Sequence, residues 1–416
     1  MKQGPHSTNH TSGTAPREAG CSYLPQLDGL RGFAILAVVF HHFGVHPPGW
    51  IDWGPVGPSV FFMLSGYLIT ISLWKLKKEP TRNAWHFGSL IAGFHARRMA
   101  RVLPLVFLLL IVGSLLGFEE YGKTWPWHLT FLSNVAIIVK NEWIGTLSHL
   151  WSLSLQEQFY LLWPLVLLLP VRTFPYVMVV LVLAAAVFRL VCILQGSTEL
   201  FRWLALPASI DAFATGAFVA WFLRHRLVKS TSSLRSVWLF LVLALASLAF
   251  SRYLRFLPDS NPATAAVEIF ECAFFGWLLL HLIDRPQSMA ARFLCFRPLI
   301  YVGRISYGIF IFHTLISVLV PKWLGLDTYI AEGHHLLGAA FLAAVSIAVA
   351  TASWYCIEQP LNAWIRRVDF SPTTGWLARR FASFHPSSVF TPIPSSHQKE
   401  EIYIPAIRSG DKVGQP

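Results

Sequence analysis

The first residues in this sequence with chemistry to offer are an arginine and a histidine on one apolar run. Arg31 and His42 stand eleven positions apart in Leu27–His42. On a helix that spacing returns both to nearly the same face, roughly 16 Å apart along the axis, while His41 points about 80° away. An imidazole accepts a proton from a hydroxyl near neutral pH, and a guanidinium binds phosphate bidentately. An ionisable residue inside a membrane helix is by default a functional one. The competing reading makes Arg31 an inside-facing anchor and pairs His42 within the bundle.

Three further groups follow. Arg98 and Arg101 are three apart, hence neighbours on a helix, and serve either as a clamp for the phosphates of a cytosolic donor or as topology anchors. Glu157 lies in the run His149–Tyr160 without a cation beside it. A buried carboxylate requires a partner in space, and His42 is the candidate. Ser65 beside Gly66 suits close helix packing. Gly303, Ser306, Tyr307 and His313 share one late apolar stretch, and the last stretch ends at Glu358-Gln359-Pro360, where Glu358 is expected to meet a loop arginine.

These residues need elements to position them, and composition says which kind. Of 416 residues 54% are hydrophobic and only 13% charged, against about 25% charged in a soluble domain, so a bilayer must supply the apolar solvent. Apolar runs near the spanning length of about twenty residues fall at 28–46, 57–75, 102–118, 151–170, 174–194, 204–223, 236–251, 264–283, 299–320 and 336–357. In lipid the backbone must satisfy itself, so these are helices. The expected fold is all-α, a polytopic bundle of about ten transmembrane helices.

The net charge of +12 is spread over the ends of apolar runs rather than gathered in one patch, which excludes a nucleic-acid surface. Lys75, Arg82, Arg97, Arg172, the 224–235 run and the 285–297 run all fall on the side of both termini, which the positive-inside rule makes cytoplasmic. Residues 119–150, with Trp125, Trp127 and Trp143, read as a long outer loop capping a site. Residues 1–23 and 368–416 read as disordered cytoplasmic tails around one membrane domain at 24–367. The five cysteines are scattered, so neither a metal site nor a disulfide is expected.

Taken in order, the blocks Leu27–His42, Val56–Thr70, Arg97–Pro104, His149–Pro164 and Gly303–His313, with the Glu358-Gln359-Pro360 ending, make the sequence resemble the acyltransferase-3 family of bacterial inner-membrane sugar O-acyltransferases. The resemblance implies a catalytic role for His42 rather than His41, with Glu157 beside it, and donor binding by Arg31, Arg98 and Arg101. Asp28, Ser65, His149, Trp151, Tyr307, His313 and Glu358 are expected to support the site. It implies transfer of an acyl group, acetyl above all, from cytosolic acyl-CoA to a hydroxyl of a glycan or lipid-linked sugar, with no permanently bound cofactor. Two positions depart from the family pattern. Gln156 is neutral where relatives have an acid, which shifts the acidic role to Glu157, and Ser59 stands where many relatives are acidic. The esterase-like extracytoplasmic domain of some relatives is not expected here.

Two other classes compete. A transporter of a lipid-linked sugar fits midplane polar residues but calls for inverted repeats with Gly/Pro-broken helices in matching halves. A membrane scaffold leaves the histidine, arginine and glutamate placement unexplained.

Overall fold

The computed structural model describes residues 23–45, 53–78, 84–166, 168–225, 234–258, 260–325 and 335–368. Both expected tails fall almost wholly outside them. The helices in chain order are α1 (Pro25–His42), α2 (Trp53–Lys78), α3 (Ala84–Leu115), α4 (Glu119–Leu129), α5 (Ser133–Lys140), α6 (Leu150–Val166), α7 (Phe174–Leu194), α8 (Glu199–Leu204), α9 (Leu206–His225), α10 (Leu234–Arg255), α11 (Val267–Asp284), α12 (Met289–Leu294), α13 (Arg297–Arg304), α14 (Ser306–Leu324), α15 (His335–Ser353) and α16 (Gln359–Arg367). No strand occurs among the described residues.

Every one of the ten apolar runs overlaps a helix. Seven segments are long and apolar enough to cross a membrane: Gly54–Lys75, Leu90–Leu115, Phe174–Leu194, Glu199–His225, Pro262–Asp284, Ser306–Leu324 and Leu336–Arg367. The chain is therefore a multi-pass membrane protein. The other three runs lie on α1, α6 and α10. α1 has 18 residues that include Asp28, Arg31, His41 and His42, and α6 has 17 with Glu157 between two glutamines. Polar side chains thus keep α1 and α6 below the spanning threshold on hydropathy or length.

One feature differs from the sequence expectation. Residues 119–150 are a folded unit rather than a loose loop. α4, α5 and a 3₁₀ turn at Gly145–Leu147 send Tyr121, Ile137 and Leu147 fully into the interior, while Trp125 and Trp143 remain exposed. Arg97, Arg98 and Arg101 lie inside α3, where Arg98 and Arg101 are the helix neighbours their spacing implies.

The bundle has two apolar cores. One gathers side chains of α2, α6, α7, α9 and α11, including Phe62, Phe159, Trp163 and Phe213. The other gathers α3 to α5, α14 and α15, including Leu105, Tyr121, Ile309 and Phe312. α1 and α6 are the wall between them. Leu27, Leu30 and Ala34 face the first core, and Ile35, Val38 and Val39 face the second.

Small residues bring the helices together, as they do where lipid offers no hydrophobic drive for association. A Cβ at Gly303 would sit 1.8 Å from the Asp28 carbonyl oxygen, and one at Gly29 would sit 1.8 Å from that of Leu294. The foot of α1 is thus in backbone contact with α12 and α13. Gly66 and Gly216 do the same between α2 and α9, with a Cβ 2.0 Å from the Phe213 carbonyl oxygen and 1.9 Å from that of Met63. Ser65 is buried beside this crossing.

Candidate functional site

Three histidines from three elements converge at one end of the wall. His42 is the last residue of α1 and so stands at the helix end. Its ring centroid lies 4.9 Å from that of His313, and His313 lies 5.1 Å from His149. His313 is 0% and His149 3% exposed, whereas His42 is open at the front of the cluster. His41 touches His42 edge to face at 5.5 Å.

Backbone carbonyls fix the proton positions, because a carbonyl only accepts. His42 Nδ1 lies 2.9 Å from the Val38 oxygen and therefore carries hydrogen. His313 Nδ1 donates to Phe310 at 2.8 Å, and His149 Nδ1 donates to Thr146 at 2.9 Å. His313 Nε2 is thus left as an acceptor, 3.3 Å from His42 Nδ1. The remaining nitrogen of His42, Nε2, is an unprotonated base. That chain, His42 to His313 to the backbone, orients the exposed imidazole as a second partner usually does for a reactive histidine. The Thr314 hydroxyl lies 3.1 Å from His149 Nδ1.

A second polar layer lies deeper along the same helices. Tyr307 precedes His313 by six residues on α14, a rise of roughly 9 Å. There Arg98 donates from Nε to both Glu157 oxygens, at 2.7 and 3.0 Å. Its guanidinium also lies 3.6 Å over the Tyr160 ring. Tyr307 donates to the Val102 carbonyl at 2.6 Å, and Gln156 donates to the Tyr160 hydroxyl at 2.7 Å. The pair is 23% and 4% exposed for Arg98 and Glu157. Burying a carboxylate this far is tolerable only with a charged partner and hydrogen bonds.

This geometry corrects two expected pairings. Glu157 is partnered by Arg98, one layer away from His42. Glu358 meets no arginine among the described residues; it is buried under Gly308 and accepts from the Ser353 hydroxyl at 3.4 Å. The π-helical turn Trp354–Glu358 turns it inward.

The remaining expected residues are placed as follows. Arg101 is exposed, within the electrostatic reach of Arg97, Arg98 and Arg366, so a cationic patch flanks the Arg98 layer. Arg31 is half-buried on α1 and joins neither layer through a hydrogen bond or ion pair among the described residues. Asp28 accepts from the Tyr23 hydroxyl at 2.7 Å and lies 3.8 Å from Arg304, a structural tie at the foot of α1. Trp151 packs edge-on against Phe62 at 6.0 Å and borders both cores.

The sequence reading missed a group of buried charges in the other half. Arg189 of α7 pairs with Asp211 of α9 at 2.8 Å and with Glu268 at 3.1 Å. Arg252 of α10 pairs with Glu271 of α11 at 2.6 Å. An arginine inside the otherwise apolar run Phe174–Leu194 was the signal that could have found it.

A multi-pass helical membrane protein with an imidazole base stacked above an arginine–carboxylate pair is the class that fold and site define. The chain belongs to the acyltransferase-3 family: residues 24–357 match the family described as "Acyltransferase domain". Among curated proteins it is similar to the peptidoglycan O-acetyltransferase OatA of Listeria monocytogenes, 26% identical over 82% of this chain and 56% of that protein. It is also similar to the O-acetyltransferase OatA of Staphylococcus aureus, 26% identical over 72% of this chain and 52% of that one. The chain spans about half the length of these relatives. No solved structure matches it.

Proposed function

We propose that the protein transfers an acyl group, acetyl in the first instance, from a thioester donor such as acyl-CoA to a hydroxyl of a cell-wall or other surface polysaccharide in the bacterial plasma membrane. The observation that carries this reading is the exposed His42 imidazole, oriented by His313 and the Val38 carbonyl with its Nε2 lone pair outward. The acyltransferase family and the names of the relatives supply the reaction class.

In this reading His42 Nε2 takes the proton of the acceptor hydroxyl as its oxygen bonds the thioester carbonyl. The carbon–sulfur bond breaks, and the proton passes to the leaving thiolate. Arg101, with Arg97 and Arg366 near it, supplies positive charge for the donor's phosphates from the cytoplasmic side. Arg98 is less a phosphate clamp than the counter-ion that holds Glu157, and the two fix the floor beneath the histidines. A well-placed base is worth about 10²–10⁴-fold, the remainder coming from alignment of donor and acceptor.

The test is acyl transfer by purified protein in liposomes supplied with acetyl-CoA and a glycan acceptor. Thiol release that depends on the acceptor is expected, and His42→Ala is expected to lower it by about 10²–10⁴-fold at matched membrane abundance. Undiminished transfer by that variant removes His42 from the chemistry.

A further inference from the structure

A cavity lies on the first-core side of the bundle, bordered by the N-terminal end of α6. It has a volume of roughly 490 Å³, within the about 300–1,000 Å³ range of small-molecule sites. It is built from the C-terminal ends of α7 and α10 and the N-terminal ends of α2, α6, α9 and α11. Those are the ends on the histidine side of the bundle, since α6 begins at Leu150 beside His149 and reaches Glu157 only deeper in.

Its lining has two properties that together select a ligand. Aromatic faces from Phe62, Trp151, Trp203 and Phe256 border it. Between them stand the Arg189–Asp211–Glu268 and Arg252–Glu271 groups, with Arg202 and Glu199 at one rim. Among the described residues that is three arginines against four carboxylates, so the cavity is nearly charge-balanced. A multiply phosphorylated ligand such as a coenzyme would require a surplus of cations. An apolar ligand would set hydrocarbon against charged side chains, at a desolvation cost. A neutral polyhydroxylated ring satisfies both, offering C–H faces to the aromatics and hydroxyls to the fixed donors and acceptors.

We infer that this cavity is the acceptor site and that it binds an uncharged pyranose segment of a glycan. This rests on the acyl-transfer reading only for the direction of flow. Trp151 stands at the seam, lining the cavity two residues after His149, whose ring lies 5.1 Å from that of His313, so the cavity and the histidine cluster share the N-terminal end of α6 and a glycan anchored here extends a neighbouring sugar toward His42. The two substrates then approach from opposite ends, the anionic donor at the Arg101 patch and the neutral acceptor at the balanced cavity.

The experiment is equilibrium binding of a radiolabelled N-acetylglucosamine oligosaccharide, and separately of acetyl-CoA, to the full chain in detergent. Ser209→Trp fills the cavity from α9 and is expected to weaken oligosaccharide binding at least about tenfold, with acetyl-CoA binding unchanged; Ser209→Ala is expected to bind both as the parent does. Thr264→Trp, from the opposite wall, is the replacement if the first variant loses its thermal transition. Unaltered oligosaccharide binding in a folded, filled variant, absent binding in the parent, or an equal loss for both ligands overturns the assignment. Should acceptor-dependent transfer fail while Ser209→Trp still abolishes sugar binding, the acyl-transfer reading falls and the cavity stands. Intact transfer with sugar binding indifferent to filling sinks the cavity alone.

Discussion

Each half of the bundle buries arginine–carboxylate pairs, yet only one half has a base beside them. On the side of α3, α6 and α14, Arg98 and Glu157 lie one layer beneath three histidines, and Arg98 keeps 23% exposure. On the side of α7, α9, α10 and α11 the pairs are closed in, with Arg189 and Asp211 at 7% and 2%, and no histidine lines the cavity they border. The same ionic motif therefore serves two ends. One pair holds a floor under a reactive group, and the other gives an enclosed surface the polarity to recognise a ligand.

Removing one anion from each half is the severest way to break this comparison. Glu157→Gln and Glu271→Gln each take the carboxylate charge out of a buried ion pair, and each is expected to lower stability by about 3–5 kcal/mol, read as a drop in the thermal transition of the detergent-solubilised protein. If the halves differ as argued, the surviving folded fraction separates them: Glu157→Gln loses turnover, whereas Glu271→Gln raises the acceptor concentration needed. Identical kinetic signatures would erase the distinction.

The histidine half also carries a pH liability outside the spans. His128 on α4 is buried between the Thr124 and Ser133 hydroxyls, and burial holds its pKa down at about 4. Because the folded form binds its proton less readily than the unfolded chain, stability is full above about pH 6.5 and is lost as pH falls toward about 4. The shift corresponds to a few kcal/mol. Thermal melts between those pH values are expected to fall for the parent and to fall less for His128→Gln; equal slopes would remove His128 as the cause.

Packing offers a smaller lever. Gly303→Ala must push α13 from the backbone of α1, and overpacking of this kind costs typically 1–3 kcal/mol. Gly66→Ala loads the α2–α9 crossing in the same way. The first is expected to depress turnover beyond its effect on stability, because α1 carries His42; the second is expected to affect acceptor binding first. The mildest change is Arg101→Ala, with an expected rise of roughly tenfold in the donor KM, equivalent to about 1.4 kcal/mol, and little change for the acceptor.

Much of the histidine half was legible in the sequence because its signals are local. Every apolar run overlaps a helix, and His42, Arg98, Glu157, Tyr307 and His313 gather into two adjoining layers. Which of them pair was not legible, since Arg98 and Glu157 are 59 positions apart and only the crossing of α3 with α6 selects that contact over one with His42. The cavity half was missed for a different reason. Arg189, Asp211, Arg252 and Glu271 sit singly on four different helices, so no spacing rule links them. The unit at 119–150 was read as a loop because its helices are too short to register as spans.

The turn at Trp354–Glu358 has a consequence for everything after it. The amide of Gln359 reaches back five residues to Trp354, one more than an α-helix allows. One surplus residue advances the phase of the following helix by about 100°. It swings Glu358 under Gly308 and brings Arg366 round to the neighbourhood of Arg101. Shortening this stretch by a single position would leave composition and length almost untouched, yet would turn that arginine to a different azimuth and open the ring of cations at its last member.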